Sequence, residues 1–360
     1  MKQAMRKMYL SVITSILVLV VTCTTTYAWT GILSYSSIEE FNVELKKEET
    51  ADYSLQISLD GINFGYGIYA TDLKKQILSN MGINTNDLSD SLINSVFSSL
   101  RLNPVSTQIK DNVIGNFVNL EQLTKNSFIY SEEVETSDTK KSYYNFDIYL
   151  SVEYNKKDPS VEALEDYQSI YLSNIDEMFR GKDKTVALST KRQLTNYLTD
   201  EILRIVTVNS ASTARLSITK YEAVEKGMPD IKSNIIDTYI FQGGTSVPSK
   251  KDDVYSFGGI LPQSDNLAFM EYNSIHSKNQ ISNFYFEEFY LNRLAKEEKA
   301  ISDPNIEGFW IVDENDMVNT KKMIRLNIKM WIEGFDADCF EVISALPVSF
   351  NLLFTTKKDI

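Results

Sequence analysis

The chain has 360 residues, a formal net charge of −13, 43% hydrophobic residues and 38 Tyr plus Phe. That charge is repelled by nucleic acid and by anionic membrane surfaces, and the apolar and aromatic content is ample for a folded core, which excludes a disordered chain. His276 is the single histidine, and Cys23 and Cys339 are the only cysteines, so an H-E-x-x-H metal motif and a C-x-x-C redox pair are both excluded.

The N-terminus opens with Lys2, Arg6 and Lys7, continues as an apolar run from Met8 to Cys23, and reaches a small residue at Ala28. This order is that of a secretory signal, so residues 1–28 are expected to be a signal peptide, cut between Ala28 and Trp29 by signal peptidase during export. The membrane is then met only through this segment, before cleavage. Two alternatives exist. Met8 to Ala28 is just long enough for an uncleaved anchor, which needs about 20 residues, but Thr22 to Thr26 make its end polar. A lipid on Cys23 would prefer a smaller residue than Thr22 before it. Cleavage removes three basic residues, taking the net charge from −13 to −16. It also leaves Cys339 as the one thiol, so no internal disulfide is expected. Cys339 lies between Asp338 and Phe340, where the acidic neighbour disfavours a thiolate and a structural role is expected.

Beyond the signal, most elements read as strands. Ile38 to Leu45 alternates from Phe41 onward, with Phe41, Val43 and Leu45 against Asn42 and Glu44. Tyr53 to Leu59 alternates and ends in the turn pair Asp60-Gly61. Tyr144 to Val152, Ala214 to Tyr221, Ile324 to Ile332 and Val348 to Phe354 read likewise. Helices are expected at Asp72–Met81, capped by Thr71 and stopped by Gly82, with Leu73, Ile77 and Leu78 on one face. Further helices are expected at Asp87–Leu100, with Leu88, Leu92, Val96 and Leu100 as its stripe, at Thr190–Val206, through Leu194, Leu198, Ile202 and Ile205, and at Phe286–Ala300. Loops fall around Asp158-Pro159, Gly227-Met228-Pro229, Gln242 to Asp253 and Ser302 to Asn305. Separated strands without βαβ alternation predict a mainly β fold, a jelly-roll-like sandwich with helical insertions. Residues 29–360 are expected to form one such domain, because strands on both sides of Gln242–Asp253 are needed to bury one another.

No catalytic residues are expected. A serine triad would need His276, and Tyr272-Asn273-Ser274-Ile275-His276 offers no nucleophile elbow. Gly243-Gly244 and Gly258-Gly259 suit turns, and no phosphate loop is present. Any carboxylate pair for glycoside hydrolysis would be an arbitrary choice among 49 acidic residues. The densest acidic cluster is Glu333, Asp336, Asp338 and Glu341. It is the one candidate for Ca²⁺, but it lacks EF-hand spacing, and Asp side chains bonding a turn and helix start are the favoured account of it. No other cofactor is expected.

Six segments resemble the secreted TasA/camelysin-type proteins of Firmicutes. They are Thr26-Tyr27-Ala28-Trp29-Thr30 after the apolar run, Leu55 to Gly61, Phe146 to Leu150, Ala214 to Ile218, Asp265 to Ala268 with Tyr272 to Ser274, and Trp331 to Cys339. They occur in the same order across nearly the whole chain. Thr30 departs from the pattern, which has Phe there. The resemblance implies a jelly-roll-like β-sandwich, an extracellular place and, for the best-known members, assembly into biofilm matrix fibres.

The expected function is therefore a secreted cell-surface or extracellular-matrix structural protein, associating with itself or with other matrix proteins. Ile38, Phe41, Val43 and Leu45 are the candidates for self-association, since a strand with one apolar face can lie over its own sandwich or a neighbour's. The alternatives are a cation- or sugar-dependent adhesin, with Phe284, Tyr285, Phe289 and Tyr290 as its aromatic platform, and a hydrolase using carboxylates alone.

Overall fold

The computed structural model describes residues 38–46, 52–103, 105–107, 109–110, 113–114, 117–119, 140–157, 160–173, 178–195, 198–242, 308–333 and 346–356. The described residues are mainly β, with two sheets in a sandwich-like arrangement.

The first sheet is built around Lys322–Ile332 (β16), flanked by Ala214–Tyr221 (β12) and Tyr143–Tyr154 (β7). Ile235–Gln242 (β14) continues it beyond β12, and Tyr53–Ser58 (β2) beyond β7. Val224–Glu225 (β13) adds two residues beside the start of β16. All these pairings are antiparallel, so residues in register share a face. Ile218, Ile328 and Phe146 lie in one such row, with Ile148 beside Leu326 and Leu150 beside Ile324. This is the face turned to the second sheet, because the Phe146 ring meets Phe41 of that sheet edge-on, centroids 5.1 Å apart. β12 and β16 come from opposite sides of the Gln242–Asp253 segment and pair in register from Ala214–Ile332 to Lys220–Leu326.

The second sheet has the order β1 (Ile38–Leu45), β17 (Val348–Thr355), β8 (Ile170–Ser173) and β15 (Gly308–Val312), and Phe179–Gly181 (β9) also pairs β17. Val348, Phe350, Leu352 and Phe354 are its inward row and are all buried. A core of Phe, Leu, Ile, Met and Val side chains from both sheets fills the space between them. A second, smaller cluster sits on the outer face of the first sheet, where Trp331, Tyr143 and Ile240 are covered by Val105 and Phe117. Here Val105–Ser106 (β3) pairs Val118–Asn119 (β6), and Ile109–Lys110 (β4) pairs Val113–Ile114 (β5).

Helices pack against the core beside β7. Ala70–Asn80 (α1) buries Leu73, Ile77 and Leu78, the face expected from their spacing. Gly82 ends it at φ +80°, a conformation that glycine adopts without strain. The cap position is Tyr69, not Thr71, so the helix starts earlier than Asp72. The second helix, Asp90–Ser99 (α2), is shorter than Asp87–Leu100 and turned from the expected stripe. It buries Ile93 and Phe97, whereas Leu92 is half exposed. Phe97 packs on the Tyr144 ring at 5.1 Å, and an aromatic contact outweighs the aliphatic stripe in setting the rotation. A single turn, Val161–Glu165 (α3), is capped by the Ser160 side chain.

The expected helix at Thr190–Val206 is overturned. Asp183–Thr195 (β10) and Leu198–Asn209 (β11) form an antiparallel hairpin that pairs with neither large sheet. Its sequence is rich in Thr, Val and Ile, whose branched side chains favour extended backbone.

Asp60-Gly61 makes the turn after β2, with Gly61 at φ +70° and little room for a Cβ beside Pro229 and the Tyr149 ring. Asp60 Oδ1 accepts the Ile62 and Asn63 N–H groups at 2.9 and 2.8 Å and the Ser58 hydroxyl at 2.7 Å. Partial burial would raise the Asp60 carboxyl, but these bonds and the Asn63 amide hold it well below the usual carboxylate range. Asp60→Ala is therefore expected to cost about 1 kcal/mol at neutral pH, a modest figure because the side chain is exposed. A lowered folded pKa gives stability that is present above the unfolded value of about 3.9 and is lost as pH falls below it. Urea unfolding of both proteins at pH 7 and at pH 2 should show the gap narrowing in acid, and an unchanged gap would contradict this account.

Candidate assembly edge

The strand singled out for self-association lies at an edge. β1 runs parallel to β17, with Phe41 opposite Phe350, Val43 opposite Leu352 and Leu45 opposite Phe354, and with a register shift between Ile38 and Phe41. The Lys46 N–H donates to the Phe354 carbonyl at 2.9 Å and closes the ladder. Among the described residues β1 has no strand partner on its other side.

Its side chains alternate as the pattern Phe41-Asn42-Val43-Glu44 requires. Phe41 and Val43 are buried, Leu45 is half-buried, and Asn42 and Glu44 face solvent. Phe41 reaches across to Phe146 in the centre of the opposite sheet. Each of these apolar side chains contributes about 1.5–3 kcal/mol when fully covered. The strand is thus held by side-chain burial and by one hydrogen-bonded ladder. Its connection to β2 passes through Lys46-Lys47-Glu48-Glu49-Thr50-Ala51-Asp52, a charged sequence with no apolar residue but Ala51.

The other candidate residues separate. Glu333 is fully buried, accepts the Trp331 indole N–H at 3.0 Å, and donates its own backbone N–H to Thr213. Asp336, Asp338 and Glu341 lie outside the described residues, as do the Ala28-Trp29 cleavage position, His276, Cys339, the Phe286–Ala300 helix and the aromatic platform of Phe284, Tyr285, Phe289 and Tyr290. Among the described residues no group of His, Cys, Asp and Glu side chains is placed to hold a metal ion, and no helix is long and apolar enough to cross a membrane. A charged pair in the core, Lys220 with Asp316, was not singled out in the sequence. Its signal was there: Lys220 takes the next position in the apolar row Ala214, Leu216, Ile218.

No family model, no curated protein and no solved structure matches this chain.

Proposed function

We propose that this protein is a secreted structural protein of the cell surface or extracellular matrix, of the TasA/camelysin type, whose copies join by exchanging β1. The observation that carries the reading is the position of β1. It is an edge strand near the N-terminus, seated on the core by Phe41 and Val43 and paired through one parallel ladder. The same ladder and the same contacts are available when the strand comes from a second copy, so exchange substitutes equivalent interactions and the balance is set by the connection at residues 46–52. The acidic composition keeps a body with an exposed edge soluble. The basic and apolar N-terminus fits export, with signal peptidase as the partner there.

The test removes residues 29–46 from the secreted protein. The expected result is a folded body that no longer forms oligomers or fibres, seen by circular dichroism, light scattering and electron microscopy. A synthetic peptide of residues 38–46 should then bind the truncated body, and the same peptide with Phe41→Asp should not. Assembly of the truncated protein at the wild-type level would overturn the proposal. So would a truncated protein that folds only when β1 is restored within the same chain and ignores the added peptide.

A further inference from the structure

Lys220 stands on the inner face of the first sheet. Leu216 and Ile218 precede it on that face, fully buried, and Lys220 itself is 4% exposed. Directly across the ladders are Leu326 on β16 and Asp237 on β14. A lysine here places a charge where the pattern of β12 calls for an aliphatic side chain.

Its Nζ lies 2.9 Å from Asp316 Oδ2, and each side chain is 5% exposed. The Tyr239 ring walls the ammonium, with its centroid 5.9 Å away. Asp316 belongs to the turn Glu314–Asp316 that follows β15 of the other sheet. Its carboxylate is fixed in place, because the same Oδ2 also accepts the Asp313 N–H at 2.7 Å. Met317, at φ +59°, follows in the left-handed region. The two side chains are therefore held end to end between the sheets, 96 residues apart in sequence.

We propose that Lys220 and Asp316 are joined by an intramolecular amide bond that forms without an enzyme once the chain has folded. One proton of the Lys220 ammonium passes to a carboxylate, and the neutral amine attacks Cγ of Asp316. The Nζ–Cγ bond forms and a Cγ–Oδ bond breaks. The released oxygen leaves as water with two hydrogens of the former ammonium, so an ammonium and a carboxylate become one neutral amide. No oxidant, reductant or further reactant is required.

Three features favour this chemistry. Groups held in contact react with effective molarities on the order of 10⁵–10⁸ M, and the buried site has little water to reverse the step. Forming the amide removes two charges from a place where charge is costly. A second carboxyl, Asp237, faces Lys220 across the strand and is placed to carry the proton. The bond would tie β12 of one sheet to the turn after β15 of the other. It would serve as a cross-link in a chain that has one thiol once residues 1–28 are removed.

The experiment is intact mass spectrometry of the purified full-length secreted protein, with both ends fixed by peptide mapping. The expected mass is that of the sequence less one water. Trypsin should fail to cut after Lys220, and a branched peptide should carry Lys220 and Asp316 together. Lys220→Arg and Asp316→Ala should each restore the full mass, and Asp237→Asn should leave a fraction of molecules unlinked. The wild-type mass decides the matter even where a variant does not fold. A wild-type protein at full mass, cut after Lys220 and giving no branched peptide, would overturn the proposal and leave a buried ion pair.

Discussion

Trp331→Ala is expected to lower the unfolding free energy by about 4 kcal/mol. Trp331 is fully buried on the outer face of β16, where a solvent-facing residue would ordinarily stand. The Phe117 ring meets it edge-on at 5.2 Å and stacks in turn on Tyr143 at 4.0 Å. Its indole N–H donates to the buried Glu333 carboxylate at 3.0 Å. Truncation opens a cavity under the segment that carries Val105 and Phe117 and takes one donor from a buried charge, and both effects destabilise. Domains of this kind are stable by about 5–15 kcal/mol, so the variant should sit near the edge of folding at body temperature. The urea midpoint followed by circular dichroism measures this, and Trp331→Phe should lose less because the ring stays. A loss under about 1 kcal/mol would show that the outer cluster lies outside the cooperative fold.

The second large effect is expected at Gly181, the last residue of β9. A Cβ there would run into the Asn209 side chain, the Ala211 backbone nitrogen and the Ser210 hydroxyl. These groups form the root of the β10–β11 hairpin. The Lys182 N–H donates to Ser210 Oγ at 2.9 Å, and that hydroxyl donates to the Pro347 carbonyl at 2.8 Å, beside the start of β17. All three obstructing atoms are already engaged in these bonds or in the Ala211 N–H to Asn209 Oδ1 bond, so the backbone must move. Gly181→Ala should cost roughly 3 kcal/mol, which corresponds to a fall in Tm of roughly 5 °C or more. Tryptic cleavage after Lys191 and Arg192 should quicken as the root loosens. A variant that melts within about a degree of wild type, with unchanged cleavage, would contradict the close fit.

Strands with a clean alternation were legible. Ala214–Tyr221 has the bounds read from its pattern, and Val348–Phe354 and Ile324–Ile332 differ from the observed strands by one or two residues. The hairpin arm was misread because spacing of four residues fits both periods: residues i and i+4 share a side of a strand as well as of a helix. The β-branched content of Thr190–Val206 was the better guide. The rotation of α2 was not legible, because it depends on which ring Phe97 meets, a contact with Tyr144 nearly fifty positions away. For the candidate edge strand β1, the alternation of Phe41 to Leu45 was readable. Its parallel partner at the far end of the chain was not, because no local pattern encodes which strand a strand will pair with.

The parallel pairing of β1 with β17 has a mechanical meaning. Tension that enters the body at Ile38 and leaves at Thr355 pulls two adjacent strands in opposite directions along their own length. The ladder is then loaded in shear, and its hydrogen bonds share the force instead of parting one after another as in a peeled hairpin. Rupture requires several bonds to fail together while Phe41 and Val43 are dragged across the core, so the barrier to forced unfolding lies at this seam. A body pulled between these two strands resists most along the line of the strands themselves, the direction in which the whole ladder shares the load.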